Sequence, residues 1–468
     1  MKKRSKRQAP AVEGDIPPLE ALKQINLNAA GLDIGDDEIY AAVPEGRADP
    51  SVRVFPTFTR DLYALADWLQ ACGVQTVAME STGVYWIPLY DLLEAKGFRV
   101  YLVNARHLKQ VPGRKTDILD CQWIQQLHIL RQAQDRLYGL LRASFRPPED
   151  IRALRALARH RDNLIESCTR EIQHMQKALQ QMNLKLTNVI SDITGVTGLL
   201  ILRDIVAGER DPHKLAAHRN PHCAKSEDEI AKSLEGNYQA EHVFALRQAL
   251  EAHDFFQQQL KACDTEIEKR YAAFTPRVDL AAQPLPPAKR PPRKSGGNAP
   301  AFDLRLYLYQ MAGVDLTQID GINVLIAHKV LSEIGVDMSP WPTVKHFTSW
   351  LSVCPHNDKT GGKVIRSRTL KSQNRAAAAL RMAAQSLLHS NSALGSYCRH
   401  MCARLDKAEG ITATAHKLAR IIYAMLKNRT EYRNPGISYY EGQARQRAVK
   451  NLKRKAKELG FDLVPQSA

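Results

Sequence analysis

From Ile151 onward, one run of positions repeats in alternating steps of three and four. It comprises Ile151, Leu154, Ala158, Arg161, Ile165, Cys168, Ile172, Met175, Leu179, Met182 and Leu186, and Arg161 is its one polar member. A seam of about five heptads requires a long helix, because no strand or turn repeats at that period. The seam also has to lie against another helix, since its apolar stripe is continuous. A second stripe runs through Leu246, Leu250, His253, Leu260 and Ile267 within Glu241–Tyr271. An intramolecular hairpin, an intermolecular coiled coil and one helix of a globular bundle all satisfy this pattern.

Ahead of the seam the pattern is mixed. Ala29–Ile34 is a short apolar run ending at Gly35, and Glu38–Val43 and Val52–Phe58 are strand candidates. A helical stripe follows at Leu62, Leu65, Ala66 and Leu69, then a buried-type strand at Thr76–Met79. Tyr85–Lys96 has helical periodicity, Arg99–Val103 is a strand candidate, and Thr116–Leu130 reads as a helix. Strands first, then helix and strand in alternation, predict a mixed sheet covered by helices. Behind the seam, residues 276–300 hold seven prolines and the basic string Lys289-Arg290-Pro291-Pro292-Arg293-Lys294, the composition of a linker. The chain from 301 to 434 is mostly helical in pattern, with the alanine-rich Arg375–Leu388 its strongest helix former, and Gln443–Lys457 is a basic helix candidate. The expected organisation is a basic N-terminus (1–26), an α/β domain (27–140), a helical coiled-coil region (141–275), a linker (276–300), a mostly α-helical domain (301–434) and a basic tail (435–468).

At roughly 150 residues per domain, 468 residues fit about three domains. Lys and Arg number 66 against 49 Asp and Glu, a net charge of +17. Such an excess points to phosphate-bearing partners. Eight dispersed cysteines without a CxxC argue against a zinc ribbon or a disulfide framework. No apolar run reaches the length of a membrane span. A cytoplasmic protein, nucleoid-associated when bound to DNA, is the expectation.

Four carboxylates carry the first chemical signal. Asp33 stands near the end of a predicted strand in Gly31-Leu32-Asp33-Ile34-Gly35, and Glu80 ends the strand Thr76–Met79. Asp117 and Asp120 lie three apart at the start of a helix, on one face. Adjoining strand ends crossed by a helix would gather all four, and such clusters attract hard cations such as Mg2+ or Mn2+. Each acid alone is equally a solvated strand-end or helix-start residue. Asp36 and Asp37 read as solvated turn residues.

Two further segments stand out. Ile319-Asp320-Gly321-Ile322-Asn323 is a glycine turn whose backbone N–H groups could meet a phosphate, or an ordinary helix connector. Pro355-His356-Asn357-Asp358-Lys359-Thr360-Gly361-Gly362-Lys363 is a Gly-rich loop followed by Arg366, Arg368, Lys371 and Arg375. A hydroxyl among cations is suited to nucleophilic phosphotransfer. A loop that only contacts phosphate fits equally well.

The strings Met79-Glu80-Ser81-Thr82-Gly83-Val84-Tyr85-Trp86 and Gly113-Arg114-Lys115-Thr116-Asp117-Ile118-Leu119-Asp120-Cys121 resemble the DEDD transposases of bacterial insertion-sequence family 110, subgroup 1111 in particular. The resemblance runs from about Leu27 to Asn434. It implies an RNase H-like (RuvC-like) N-terminal domain whose metal ligands are Asp33, Glu80, Asp117 and Asp120. It also implies donor and target DNA as substrates, a structured noncoding bridge RNA as guide, and assembly as dimers and tetramers, with the heptad seam supplying the subunit contact. The family's serine nucleophile maps onto Thr360, which keeps the hydroxyl and adds a crowding methyl; Ser367 is the fallback. Asn323 replaces the second glycine of the family's Gly-Ile-Gly turn, and asparagine tolerates positive φ. Lys363, Arg366, Arg368, Lys371 and Arg375 become candidate nucleic-acid contacts. Competing readings are a Holliday-junction-type endonuclease, a non-catalytic RNA- and DNA-binding protein, and, on Gly31–Gly35 alone, an actin-like sugar kinase.

Overall fold

The computed structural model describes residues 26–80, 83–103, 117–129, 144–289, 299–361, 363–370, 372–434, 436–462 and 464. The chain divides into two compact units, Met1–Arg146 and Pro147–Ala468.

The first unit is built on five strands: β1 (Ala29–Ile34), β2 (Glu38–Ala42), β3 (Val52–Pro56), β4 (Thr76–Glu80) and β5 (Arg99–Val103). Their order is β3-β2-β1-β4-β5. The first three form an antiparallel meander, and β1, β4 and β5 are parallel. The parallel half needs crossovers, and the helices α1 (Thr59–Ala71) and α2 (Trp86–Ala95) precede β4 and β5. Their apolar stripes, Leu62, Leu65 and Leu69 with Leu89 and Leu93, share one core with Leu32, Ile34, Val77 and Met79. A third helix, α3 (Asp117–Ile129), covers the opposite face. The expected mixed sheet is present, with strand ends within about two residues of the sequence pattern.

The second unit is helical. Its frame is α4 (Glu149–Gln181), which carries the seam. Four short helices follow: α5 (Leu186–Val189), α6 (Val196–Ala207), α7 (Pro212–Ala216) and α8 (Glu227–Ser233). Then α9 (Ala240–Ala272) returns along α4 in the opposite direction. The seam's polar member, Arg161, is 5% exposed, and its guanidinium donates to the two carboxylate oxygens of Asp264 on α9 at 2.5 and 3.3 Å. A buried charge has to be paired, and this pair fixes the register of the two helices. The seam is therefore occupied within the chain, which corrects the expectation that it forms the subunit contact. At the far end of the pair, α6, α7 and α8 close a core around Met175, Met182, Ile201, Ile205, Leu215, Ile230 and Leu246.

The rest of the second unit comprises α10 (Leu304–Ala312), α11 (Val324–Ile334), α12 (Val344–Trp350), the strands β6 (His356–Thr360) and β7 (Lys363–Arg368), and α13 (Arg375–Ser386), α14 (Ala393–Arg404), α15 (Lys407–Asn428) and α16 (Ile437–Glu458). The start of α4 is locked to α11. Arg159 makes two bonds of 2.8 Å to the carboxylate of the buried Glu333, and Arg155 reaches the same carboxylate at 3.2 Å. The first half of the Pro-rich segment is not a free tether. Arg277 N–H donates to the Gln310 carbonyl at 2.8 Å, Arg305 donates to the Pro286 carbonyl at 2.6 Å, and Lys289 pairs with Asp320 at 2.9 Å. Residues 290–298 lie outside the described residues. Among the described residues no helix is long and apolar enough to cross a membrane.

Candidate active site

Strand alternation sorts β1 into two faces. Ala30, Leu32 and Ile34 enter the core with α1 and α2, so Gly31 and Asp33 belong to the other face. In the parallel register Gly31 lies beside Ala78 and Leu32 beside Met79, and one step further Asp33 comes beside Glu80. Across β4 and β5, Ala78 lies beside Tyr101 and Glu80 beside Val103. Ala78 and Val103 pack under Ile124 and Leu127, so α3 covers the face that carries Asp33 and Glu80.

The direction of α3 follows from its far end. His128 Nε2 is 2.9 Å from Thr76 Oγ1 at the start of β4, and the carbonyls of His128 and Ile129 accept bonds from Asn26, just ahead of β1. One turn earlier, α3 crosses Gly31. A Cβ there would stand 2.3 Å from both the Cys121 carbonyl oxygen and the Gln125 nitrogen. The helix thus runs antiparallel to β1 and β4, and its first turn, with Asp117 and Asp120, ends at the carboxyl ends of those strands. Glycine is needed mid-strand because a backbone lies where a side chain would be.

Cys121 reports the charge of the place. Its thiol is fully buried and pushed up to about 12, by burial first and by the negative charges of Asp33 and Asp120 in addition. Both carboxylates act on the one thiol across the space at this edge. The carboxylates at this edge offer hard oxygen donors. Asp33, Glu80 and Asp120 are each partly exposed at this edge. Asp117 opens α3, but its side chain lies outside the described residues, as do Ser81, Thr82 and Gly113–Thr116. Among the described residues no three His, Cys, Asp or Glu side chains are close enough together to enclose an ion. Asp36 and Asp37 are exposed in the turn between β1 and β2.

Thr360 belongs to the second unit. The sequence pattern there reads as a loop, whereas the chain forms an antiparallel hairpin of β6 and β7 in which Thr360 pairs with Lys363. Gly361, with φ at 55°, starts the turn, and Gly362 lies outside the described residues. Left-handed backbone at a two-residue hairpin turn is what glycine supplies without strain. Thr360 is exposed beside the tip. Ser367 pairs with Asn357, three residues down the strand from Thr360 and so about 10 Å away. Arg366 and Arg368 are exposed on β7, while Lys371 and the side chain of Lys363 lie outside the described residues. Arg375 instead approaches Asp162 of α4 at 3.6 Å, beside Lys329, which holds the same oxygen at 2.9 Å.

The glycine turn differs from its expected form. Gly321 carries the positive φ, at 86°, and a Cβ on it would stand 2.8 Å from Leu387 Cγ. Asn323 has φ at −96° and caps α11, its side chain accepting from the Ile326 N–H at 2.9 Å. Asparagine is thus favoured there as an N-cap, not for tolerance of a left-handed backbone. Asp320 is held by Lys289 and by Asn434, at 2.9 and 3.3 Å.

Comparison with known families decides the class. A transposase model carrying the DEDD label of IS110 matches residues 30–184, and a model of the IS116/IS110/IS902 transposase family matches residues 315–399. The two matches belong to one family and together span just over half of the chain. The chain belongs to the IS110 family of transposases. No curated protein matched it. The first match contains Asp33, Glu80, Asp117 and Asp120, and the second contains Thr360 and the basic residues after it. This IS110-family transposase is an enzyme, a DNA transposase or recombinase of an insertion sequence.

Proposed function

We propose that this transposase cuts and rejoins DNA strands at an acidic site formed by Asp33, Glu80, Asp117 and Asp120, with Thr360 as the attacking hydroxyl. The observation that carries the reading is the contact of α3 on Gly31, which sets Asp120 at the edge where Asp33 and Glu80 emerge. The sheet order, with an acid on the central strand, supports reading the first unit as an RNase H-like, RuvC-like domain.

The donor set fits a hard divalent cation, Mg2+ or Mn2+, because it consists of carboxylate oxygens. An ion bound there would offset the charge of the scissile phosphate. The chain's own residues do the rest. Asp33 and Glu80 are carried on rigid strands, so their carboxylates are preorganised. Thr360 Oγ forms a bond to phosphorus as a strand P–O bond breaks, which leaves a phosphothreonine and a free strand hydroxyl. Attack of a strand hydroxyl on that linkage reverses the step and joins new ends. Arg366 and Arg368, exposed on the same hairpin, offset the charge on the phosphate.

Donor and target choice would rest on base pairing to a structured noncoding RNA of the bridge-RNA type, with protein charge supplying affinity. Acids from one subunit and Thr360 from another would meet in a dimer or tetramer. The test is strand exchange on a donor–target pair. Asp33→Asn and Glu80→Gln abolish exchange and leave RNA binding intact; full exchange by either variant overturns the acidic site.

A further inference from the structure

A second group of cations in the second unit lies along the last three turns of α15. Lys417, Arg420, Ala424 and Lys427 recur at helical spacing on one side of that helix. The helix ends at Arg429, whose φ of 51° turns the chain, and residues 430–433 form the facing wall. Between them lies a cleft of about 580 Å3. Lys417, Arg420, Lys427 and Arg433 line it against one acid, Glu431.

The field in this cleft is positive. Lys427 Nζ is fixed by two neutral groups, the Pro342 carbonyl at 3.0 Å and the Tyr423 hydroxyl at 3.1 Å, so neither cancels its charge. His416 and Lys417 are both held below their ordinary ranges, by burial first and by the Arg420 guanidinium next. A half-buried, positive surface favours an anion. From Lys417 to Lys427 the helix rises about 15 Å, against about 3.4 Å per charge along one strand of duplex DNA. The cleft is thus long enough for several phosphates.

We propose that the cleft between α15 and residues 430–433 binds the phosphodiester backbone of a nucleic-acid strand, with Lys417, Arg420 and Arg433 on its phosphates. None of these residues belongs to the acidic site or to the Thr360 hairpin. The proposal rests on the family's nucleic-acid substrate and not on the assignment of the acids.

The test is fluorescence anisotropy of the full chain with a short labelled single strand, as DNA and as RNA of one sequence, over a salt series. Arg420 and Arg433 are exposed, so Arg420→Gln with Arg433→Gln spares the core. The double variant binds roughly tenfold more weakly at low salt, and its salt slope is shallower by about 1.4, at about 0.7 per phosphate contact on a single strand. Loss on DNA alone identifies a DNA strand as the occupant, and loss on RNA alone identifies RNA. Lys417→Arg keeps the wild-type slope, which separates charge from packing. Unchanged affinity and slope on both strands overturn the proposal. The readout is strand binding and not strand exchange, so failure here and failure of the acidic site are told apart.

Discussion

The α-carbon of Gly31 faces the backbone of Gln125 so closely that a Cβ would stand 2.3 Å from its nitrogen. That single missing side chain lets α3 lie flat on β1 and brings Asp120 to the strand edge that carries Asp33. Gly31→Ala forces backbone apart from backbone, a cost of about 1–3 kcal/mol. Hydrogen exchange of the α3 amides then speeds up by roughly 5- to 150-fold, since about 1.4 kcal/mol is a factor of ten. Unchanged α3 protection in Gly31→Ala would contradict this packing.

The Arg161–Asp264 pair makes a second prediction, for the second unit. Arg161→Met leaves the Asp264 carboxylate buried without its partner and destabilises the long helix pair by about 3–5 kcal/mol. Adding Asp264→Leu removes the stranded charge and restores most of that loss. Urea midpoints of the two single variants and the double variant check it. Additive losses would show that the pair does not act as one unit.

Acid sensitivity follows from His328. Its ring is buried, its Nδ1 shares a 2.7 Å hydrogen bond with the Tyr271 hydroxyl, and it is pushed down to about 3 by burial first and then by the charges of Arg161 and Lys329. The unfolded chain takes up this proton near pH 6.5 and the folded chain does not. The stability His328 contributes is therefore complete above about pH 6.5 and is lost as pH falls toward 3. At pH 5 the loss is about 2 kcal/mol, at about 1.4 kcal/mol per pH unit. His328→Gln keeps a polar side chain and removes the titration. Its unfolding free energy falls less steeply between pH 6.5 and 4 than that of wild type, and parallel profiles would contradict the assignment.

Much of this molecule is legible in its residues, for identifiable reasons. The seam from Ile151 to Met182 predicts α4 because a heptad over that length has one structural solution. Its partner is not legible, because an apolar stripe carries no label for the chain it will meet. Asp264 on α9, opposite Arg161, is the signal that could have settled it. The mixed sheet and the positions of Asp33 and Glu80 follow from short apolar runs ending in acids. Gly31, two residues before Asp33, is the missed signal: a glycine inside a strand marks close backbone approach. The Thr360 segment is illegible as a hairpin because its apolar residues, Val364 and Ile365, are adjacent and both exposed, so the strands carry no alternation. The cleft cations on α15 were hidden for another reason. Lys417 and Arg420 sit in an amphipathic helix, where charged residues ordinarily mark a solvated face.

The chemistry at Thr360 has its own test. With wild-type protein and donor DNA, a protein–DNA adduct survives denaturation. Thr360→Ala loses it, and Thr360→Ser retains it with the same linkage chemistry. Nicking by Thr360→Ala at the wild-type rate, with no adduct in any variant, would show that water is the nucleophile and that the enzyme hydrolyses its strands.

The central claim is that one sheet edge holds a divalent ion on the acids, and binding of that ion tests it most directly. In a calorimetric titration of the full chain with Mn2+ in the absence of DNA, wild type binds. Asp33→Asn, Glu80→Gln and Asp120→Asn each weaken binding by roughly tenfold or more, about 1.4 kcal/mol or above, while Asp36→Asn, in the solvated turn, does not. Equal affinity in wild type and in all three variants would contradict the account.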